Sequence, residues 1–394
     1  MSSSPFFDRH LAQTTPFPMG IEIVRAEGIY LYGPNQEKYI DFISGVGVSN
    51  LGHGHPEIIQ AIHRQVDRHL HVMVYGEYLQ TAQVEAAHKL TALLPSSLDC
   101  CYFVNSGAEA IEAAMKLVKR VTGRHQIISM EGAYHGNTQG AMSISFNEKK
   151  KAPFRPLLPE IYFIRLNNWD DLEKITSQTA GVFLETIQGD AGIRIPNPLY
   201  MKALREKCSA VGALLVLDEI QCGMGRTGRL FAFEHYDIIP DVLVLGKALG
   251  GGMPIGCLIT DKERMQTLSD APMLGHISTF AGHPVPCAAA AAALDIYAQL
   301  DWSEVTAKGE KIFERLIALN AVKEIRFKGL YFAIDLEDEH AVQRVVDRCL
   351  EKKLIAFWFL SCPWSFRIAP PLNISDDELE HCLSILTWAI KQEC

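Results

Sequence analysis

The chain has 394 residues, 48% hydrophobic and 21% charged, with a mean hydropathy near zero (+0.05). This composition describes a soluble globular protein long enough for one large and one smaller domain, and it argues against a disordered chain. The net charge of −9 and pI of about 5.9, with no basic block beyond Lys149 to Lys151, argue against a nucleic-acid partner.

At the N-terminus, MSSSPFFDRH has neither the basic start nor the apolar core of a signal peptide. No later apolar run approaches the ~20 residues that span a bilayer. The ten cysteines are scattered, form no CxxC pair and include an adjacent Cys100 and Cys101 at the edge of a strand. Reduced, buried thiols of a soluble cytoplasmic protein are expected, with no membrane partner.

The first elements are two strand-like stretches, GIYLYG and KYIDF, that read as a hairpin. From about residue 100 to 285, short apolar runs alternate with segments of helical period, the pattern of a mostly parallel sheet covered by helices. Seven runs are strand candidates: 101–104, 126–129, 161–164, 182–184, 214–217, 242–245 and 255–259. Only nine residues, 246–254, separate the last two. A parallel crossover needs about a dozen or more, so this pair should be antiparallel. Between the first two runs, residues 106–120 place Ile111, Ala114, Met115 and Val118 on one helix face. That segment opens on S-G-A-E, a capping-box pattern, and closes with Lys116, Lys119 and Arg120 near the negative end of the dipole. Farther on, 284–320 reads as one long helix, 330–336 as a strand, 339–352 as a helix, 354–358 as a strand and 376–392 as a final helix. The expected fold is α/β: a large domain at 50–290 and a small α+β domain built from 1–49 and 291–394.

In open α/β sheets, ligands bind at the carboxyl ends of the strands. Here those ends carry Asn105-Ser106-Gly107, Glu185, Asp218-Glu219 and Gly246-Lys247. Ser106-Gly107-Ala108 at a helix start offers a hydroxyl and free N–H groups to a phosphate, although Ser106 alone also reads as an N-cap for Glu109. Asp218 follows four apolar residues and must be paired or hydrogen-bonded; by itself it is equally an internal ion pair. Lys247 is not a nucleotide-loop lysine: G-x-x-x-x-G-K-[ST] puts the glycines before the lysine, and here Ala248 follows it with the glycines after. It is either a solvated strand-end charge or a partly buried amine whose lowered pKa lets it attack a carbonyl. Together, a phosphate cradle, a buried carboxylate and a neutral lysine are what pyridoxal phosphate asks for.

The segment ALLVLDEIQCGMGRTGRLFAFEHYDIIPDVLVLGKALGGGMPIG closely resembles the signature of class III (ornithine and acetylornithine type) pyridoxal-phosphate aminotransferases. YIDFISGVGVSNLGHGHP, NSGAEAIEAAMKLVKR, AYHGNTQGAMSIS, ETIQGDAG, STFAGHP and FRIAPPLNI resemble further blocks of that family, in its order. The resemblance implies fold type I: a seven-stranded, mainly parallel sheet with one antiparallel strand, a small domain from both chain ends, and a homodimer with shared active sites. It implies Lys247 as the Schiff-base lysine and proton shuttle, and Asp218 as the partner of the ring nitrogen. Ser106, Gly107 and Ala108 would hold the phosphate, Tyr134 would stack on the ring and Gln221 would bond near its 3-oxygen. His135 would wall the pocket, Glu185 would stand close behind it, and Thr279 would reach the phosphate of the partner subunit's site. The activity implied is ping-pong transfer of an amino group from an amino acid or ω-amine, of acetylornithine, ornithine, lysine or 4-aminobutyrate type, to a 2-oxo acid. Aminomutases and decarboxylases use the same machinery and are the alternative; a regulator that only binds the cofactor would not need Lys247, Asp218 and Gln221 together.

Four positions bear on substrate. Arg367 matches the family arginine that clamps a carboxylate, and Asp190 stands where many members carry a longer glutamate that masks it. Asn137 replaces an arginine that usually takes a second carboxylate, and an amide supplies no charge. Val46 stands where ornithine-type members tend to have tyrosine. His53 and His55 resemble a metal pair, but the GHGHP block is a turn in the family and no metal is expected.

Overall fold

The computed structural model of the chain describes residues 5–393. Its first strands are β1 (Arg25–Glu27), β2 (Tyr30–Tyr32) and β3 (Lys38–Asp41); β2 and β3 pair as the expected hairpin and β1 adds to its outer side. The next seven are β4 (Cys100–Val104), β5 (Gln126–Met130), β6 (Ile161–Ile164), β7 (Thr179–Glu185), β8 (Leu214–Asp218), β9 (Val242–Gly246) and β10 (Gly256–Thr260). They form one sheet in the order β4-β10-β9-β8-β7-β5-β6. Pairing is parallel from β6 through β9, whereas β10 runs antiparallel to both β9 and β4, so the reversed strand expected from the short 246–254 link lies inside the sheet.

The continuous apolar runs follow from this layout, because both sheet faces are covered and every residue of β7, β8, β9 and β10 is buried. One cover is the helix Gly107–Thr122, which buries Ala110, Ile111, Ala114 and Val118 and stops at Gly123, whose φ of 67° suits a residue without a Cβ. Its cap is half of the expected box. Ser106 Oγ accepts from Glu109 N at 3.2 Å, but the Glu109 carboxylate turns to Asn105, taking its N–H at 2.7 Å and its amide at 3.0 Å.

The C-terminal part corrects two expectations. Residues 284–320 are two helices, Pro284–Tyr297 and Trp302–Ile317, because Asp301 begins a new one by accepting from Ser303 N. Residues 354–358 are not one strand: β13 (Leu354–Ile355) joins β3 in parallel, while β14 (Phe357–Trp358) joins a different sheet. That second sheet also holds β11 (Glu324–Lys328), unread in the sequence, β12 (Tyr331–Asp335) and β15 (Ser365–Ile368), in the order β11-β12-β15-β14. The chain ends therefore meet, β1-β2-β3-β13 in one small sheet and β11-β12-β15-β14 in another. Of the nine described cysteines, all free, Cys100 and Cys101 are only half-buried at the start of β4; Cys394 lies outside the described residues.

Candidate active site

Register brings the carboxylates together: Glu185 at the end of β7 is the direct partner of Asp218 at the end of β8. Two neighbouring buried carboxylates repel, and their hydrogen-bond partners differ. Asp218 Oδ2 accepts from His135 Nδ1 at 2.7 Å and its Oδ1 accepts from Ile220 N at 2.9 Å. Glu185 accepts only neutral N–H groups, from Tyr134 at 3.0 Å and Gly189 at 2.8 Å. Burial pushes its carboxyl up to about 7; His135 opposes that shift and Asp218 adds to it.

Lys247 follows β9 directly, at a φ of 43° that is uncommon for a side-chain-bearing residue. Its side chain makes no hydrogen bond or ion pair with any of the described residues. Loss of water around the ammonium pushes its pKa below the ordinary lysine value, with Asp218 and Glu185 opposing and Arg367 assisting. Lys247, Glu185, Asp218 and Gln221 line one cavity of about 220 Å³, closed on another side by Gly107, Ala108, Tyr134, His135 and Asn137. A larger cleft, about 810 Å³ between residues 227–235 and the helix Trp302–Ile317, contains none of the residues expected in the site.

The remaining expected residues lie around this cavity rather than on it. Ser106 caps the adjoining helix. Arg367, 6% exposed, sits on β15 with its Nη2 3.3 Å from Asp190 Oδ1 and its guanidinium 4.2 Å over the Phe359 ring. Asp190 is held more closely by Ser361 Oγ at 2.7 Å and also accepts from Leu360 N at 3.2 Å. Val46 belongs to a left-handed turn, and Gly47 beside it packs over Gln221. Thr279 is exposed and away from the cavity. His53 faces Asp41 Oδ2 at 2.8 Å and Ser49 Oγ at 3.3 Å.

Sequence reading missed two features. The pairing of His135 with Asp218 joins residues 83 apart in the chain, and nothing local to either announces it. Tyr331 is fully enclosed beside Gln221 and Arg367; a tyrosine inside a buried strand was a signal, because its hydroxyl needs a partner.

The family model for class III aminotransferases matches residues 12–390. The chain is 36% identical over 385 residues to an acetylornithine aminotransferase of Methanopyrus kandleri, covering 97% of each. The chain belongs to the class III aminotransferases. It is also 39% identical over 329 residues to a [LysW]-aminoadipate semialdehyde/glutamate semialdehyde transaminase of Sulfurisphaera tokodaii, covering 82% of this chain and 84% of that one. The solved ornithine aminotransferase of Toxoplasma gondii, described with PLP at its active site, superposes with a TM-score of 0.90 at 28% identity, covering 98% of this chain and 93% of that one. This class III aminotransferase is thus an enzyme dependent on pyridoxal phosphate.

The residues of the cavity fit that cofactor. The N–H groups of Gly107 and Ala108, at the positive end of their helix, have no partner among the described residues and suit a phosphate. His135 Nε2 is buried without a partner. A Cβ on Gly136 would come within 2.7 Å of Ala108, so this wall needs glycine to stay closed.

Proposed function

We propose that this aminotransferase moves an amino group from an amino acid or ω-amine bearing one carboxylate to a 2-oxo acid, in two half-reactions at the cavity around Lys247. When bound, pyridoxal phosphate supplies an aldehyde carbon that takes the amino group and a ring that draws electrons from the substrate carbon. The observation that carries the reading is Lys247: an unpartnered amine at a strand end, desolvated and beside the Asp218–His135 pair. Its Nζ, when neutral, would hold the cofactor and, when free of it, would carry a proton to and from the substrate carbon. Asp218, held by His135, would pair with the ring nitrogen and hold a proton there. Ser106, Gly107 and Ala108 would receive the phosphate, Tyr134 would cover the ring and Gln221 would bond at its oxygen, while Glu185 fixes the backbone of Tyr134 and Gly189.

Arg367 receives the substrate carboxylate, with Asp190 against its Nη2. No arginine lines the cavity among the described residues, and Asn137 at its rim offers an amide. A donor whose far end is neutral and polar therefore fits better than one with two carboxylates. Acylated diamino acids, the chemistry named by the acetylornithine relative, are the first candidates.

The working unit in this proposal is a homodimer. Support comes from apolar side chains left in water: Leu79 is 87% exposed and Met273 79%, with Leu70, Leu274 and Phe280 more than half exposed. Apolar side chains this exposed need a partner, and Thr279 is itself exposed next to one of them, Phe280. Residues 50–290 act as the cofactor domain, and 1–49 with 291–394 as the small domain, tied together by the β3–β13 pair. Nine free cysteines, and no helix among the described residues long and apolar enough to cross a membrane, support a cytoplasmic enzyme.

Mixing the holoenzyme with single donors, without acceptor, tests the reading. Acetylornithine, ornithine, lysine and 4-aminobutyrate are compared for a shift of absorbance from ~420 to ~330 nm, a property of the cofactor. Release of carbon dioxide without that shift would sink transamination in favour of decarboxylation.

A further inference from the structure

Two buried donors without any hydrogen-bond partner among the described residues come from adjacent strands of one small sheet: Tyr331 Oη on β12 and Arg367 Nε on β15. The register sets Ala333 opposite Arg367. Tyr331, two residues before Ala333, therefore lies on the same sheet face as Arg367 and diagonal to it. That face packs against the loop after β7, where Tyr331 and Ala333 join Ile187, Ile193, Cys222 and Phe359 in one apolar cluster.

The Tyr331 hydroxyl points toward the cavity wall. A Cβ built on Gly189 would run into both Tyr331 Oη and Gln221 Oε1, so only a glycine at 189 lets these two polar ends lie side by side against the loop. Gln221 lines the cavity. Burial, with Glu185 adding and Arg367 opposing, raises the hydroxyl well above the ordinary tyrosine range, so it remains a neutral donor. A hydroxyl enclosed without a partner is unfavourable unless a ligand completes it.

Arg367 is only partly engaged. Its Nη2 meets Asp190 at 3.3 Å, the longest of three hydrogen bonds to that carboxylate, and its Nε is left over. A carboxylate has two oxygens and is best held by two donors. We propose that Tyr331 binds substrate: Tyr331 Oη and Arg367 Nε together hold one substrate carboxylate while Asp190 keeps its bond to Arg367 Nη2. This rests on Arg367 as the carboxylate site and narrows the substrate class. Donor and 2-oxo acid alike present a carboxylate to the same charged and neutral donor pair, and Asp190 does not have to leave for either.

The test is Tyr331→Phe in the holoenzyme, which removes one oxygen and keeps the ring in its cluster. Calorimetric binding of succinate, which cannot react, should weaken by roughly tenfold to a hundredfold, the usual loss for one hydrogen bond to a charged group. KM for the best donor and for 2-oxoglutarate should rise in the same range with kcat within about twofold, and the unfolding midpoint of the apoprotein should not fall, because a lone buried hydroxyl has been removed. Unchanged succinate affinity, or an equal loss of affinity and apoprotein stability, overturns the assignment. The calorimetric arm needs no turnover. A wild type that binds succinate through Tyr331 yet fails the half-reaction would remove the transaminase reading and leave this one standing; the reverse result would do the opposite.

Discussion

The two halves of the active site are built on opposite principles. The floor, at the ends of β7, β8 and β9, surrounds its carboxylates with partners inside the protein: Asp218 has His135 and the Ile220 N–H, and Glu185 has two backbone N–H groups. The wall, on β12 and β15, leaves donors unused: Arg367 Nε and Tyr331 Oη are buried and unpaired. A surface that must hold one resident group is best fixed in advance, whereas a surface that exchanges donor and acceptor needs groups that only a ligand completes. The division assigns chemistry to the floor and substrate choice to the wall.

The strongest way to break it is Lys247→Ala. If the floor carries the proton transfer, kcat falls by at least about 10³-fold, while succinate still binds at the wall with wild-type affinity. Retained turnover would move the chemistry elsewhere, and lost succinate binding would mean that floor and wall are one device.

Arg367→Ala is the complementary experiment. Removing one partner of a buried charge contact costs about 2–5 kcal/mol, so kcat/KM for the best donor should drop by roughly 30-fold to several thousand-fold. The absorption spectrum of the bound cofactor should stay as in the wild type, because the Asp218–His135 pair is untouched. A shifted spectrum would show that the wall also sets the state of the floor.

The floor was also the more legible half. Each of its strands is a continuous apolar run ended by a polar residue, and parallel register then aligns the ends without further information. The wall depends on pairings that local pattern does not report. Tyr331 signals only that its hydroxyl needs a partner, and the β12–β15 register alone sets it beside Arg367. Residues 354–358 hold the composition of one strand, yet two-residue pieces on either side of Ala356 serve different sheets, a choice made by long-range packing. The break at 298–301 was marked only by Asp301, a single capping residue inside an otherwise helix-favouring stretch.

Glu185 sharpens the comparison through pH. Its carboxyl is pushed up to about 7 by burial, above the 4.5 of a free glutamate, so the folded apoprotein holds this proton more tightly than the unfolded chain. The stabilisation is full below about pH 4.5, declines as pH rises toward 7 and is flat above; by linkage the loss is of order 3 kcal/mol. Urea titrations of the wild type and Glu185→Gln should therefore converge or cross as pH rises through that window. A difference independent of pH would show that Glu185 is already ionised at pH 4.5.

The smallest effect tests the joint between floor and wall. Ser44, Gly45, Val46 and Gly47 have φ of 50°, 58°, 64° and 76°, a full left-handed turn containing a β-branched residue. Asp41 secures its start by accepting from Ile43 N at 3.1 Å, Gly45 N at 2.8 Å and His53 Nε2 at 2.8 Å. Ser44 Oγ ties it to the Ala369 carbonyl at 2.7 Å, just beyond β15, while Gly47 lies over Gln221 on the floor. A left-handed residue with a Cβ costs about 1–2 kcal/mol, so the contacts at both ends must hold Val46 against its own preference. Val48, also half-buried but at a φ of −97°, carries no such strain. Val46→Gly should accordingly destabilise the fold by about 1–2 kcal/mol less than Val48→Gly, because it removes the strain along with the side chain. Equal losses would mean that no strain is stored in the turn, and the linkage between floor and wall would then rest on its hydrogen bonds alone.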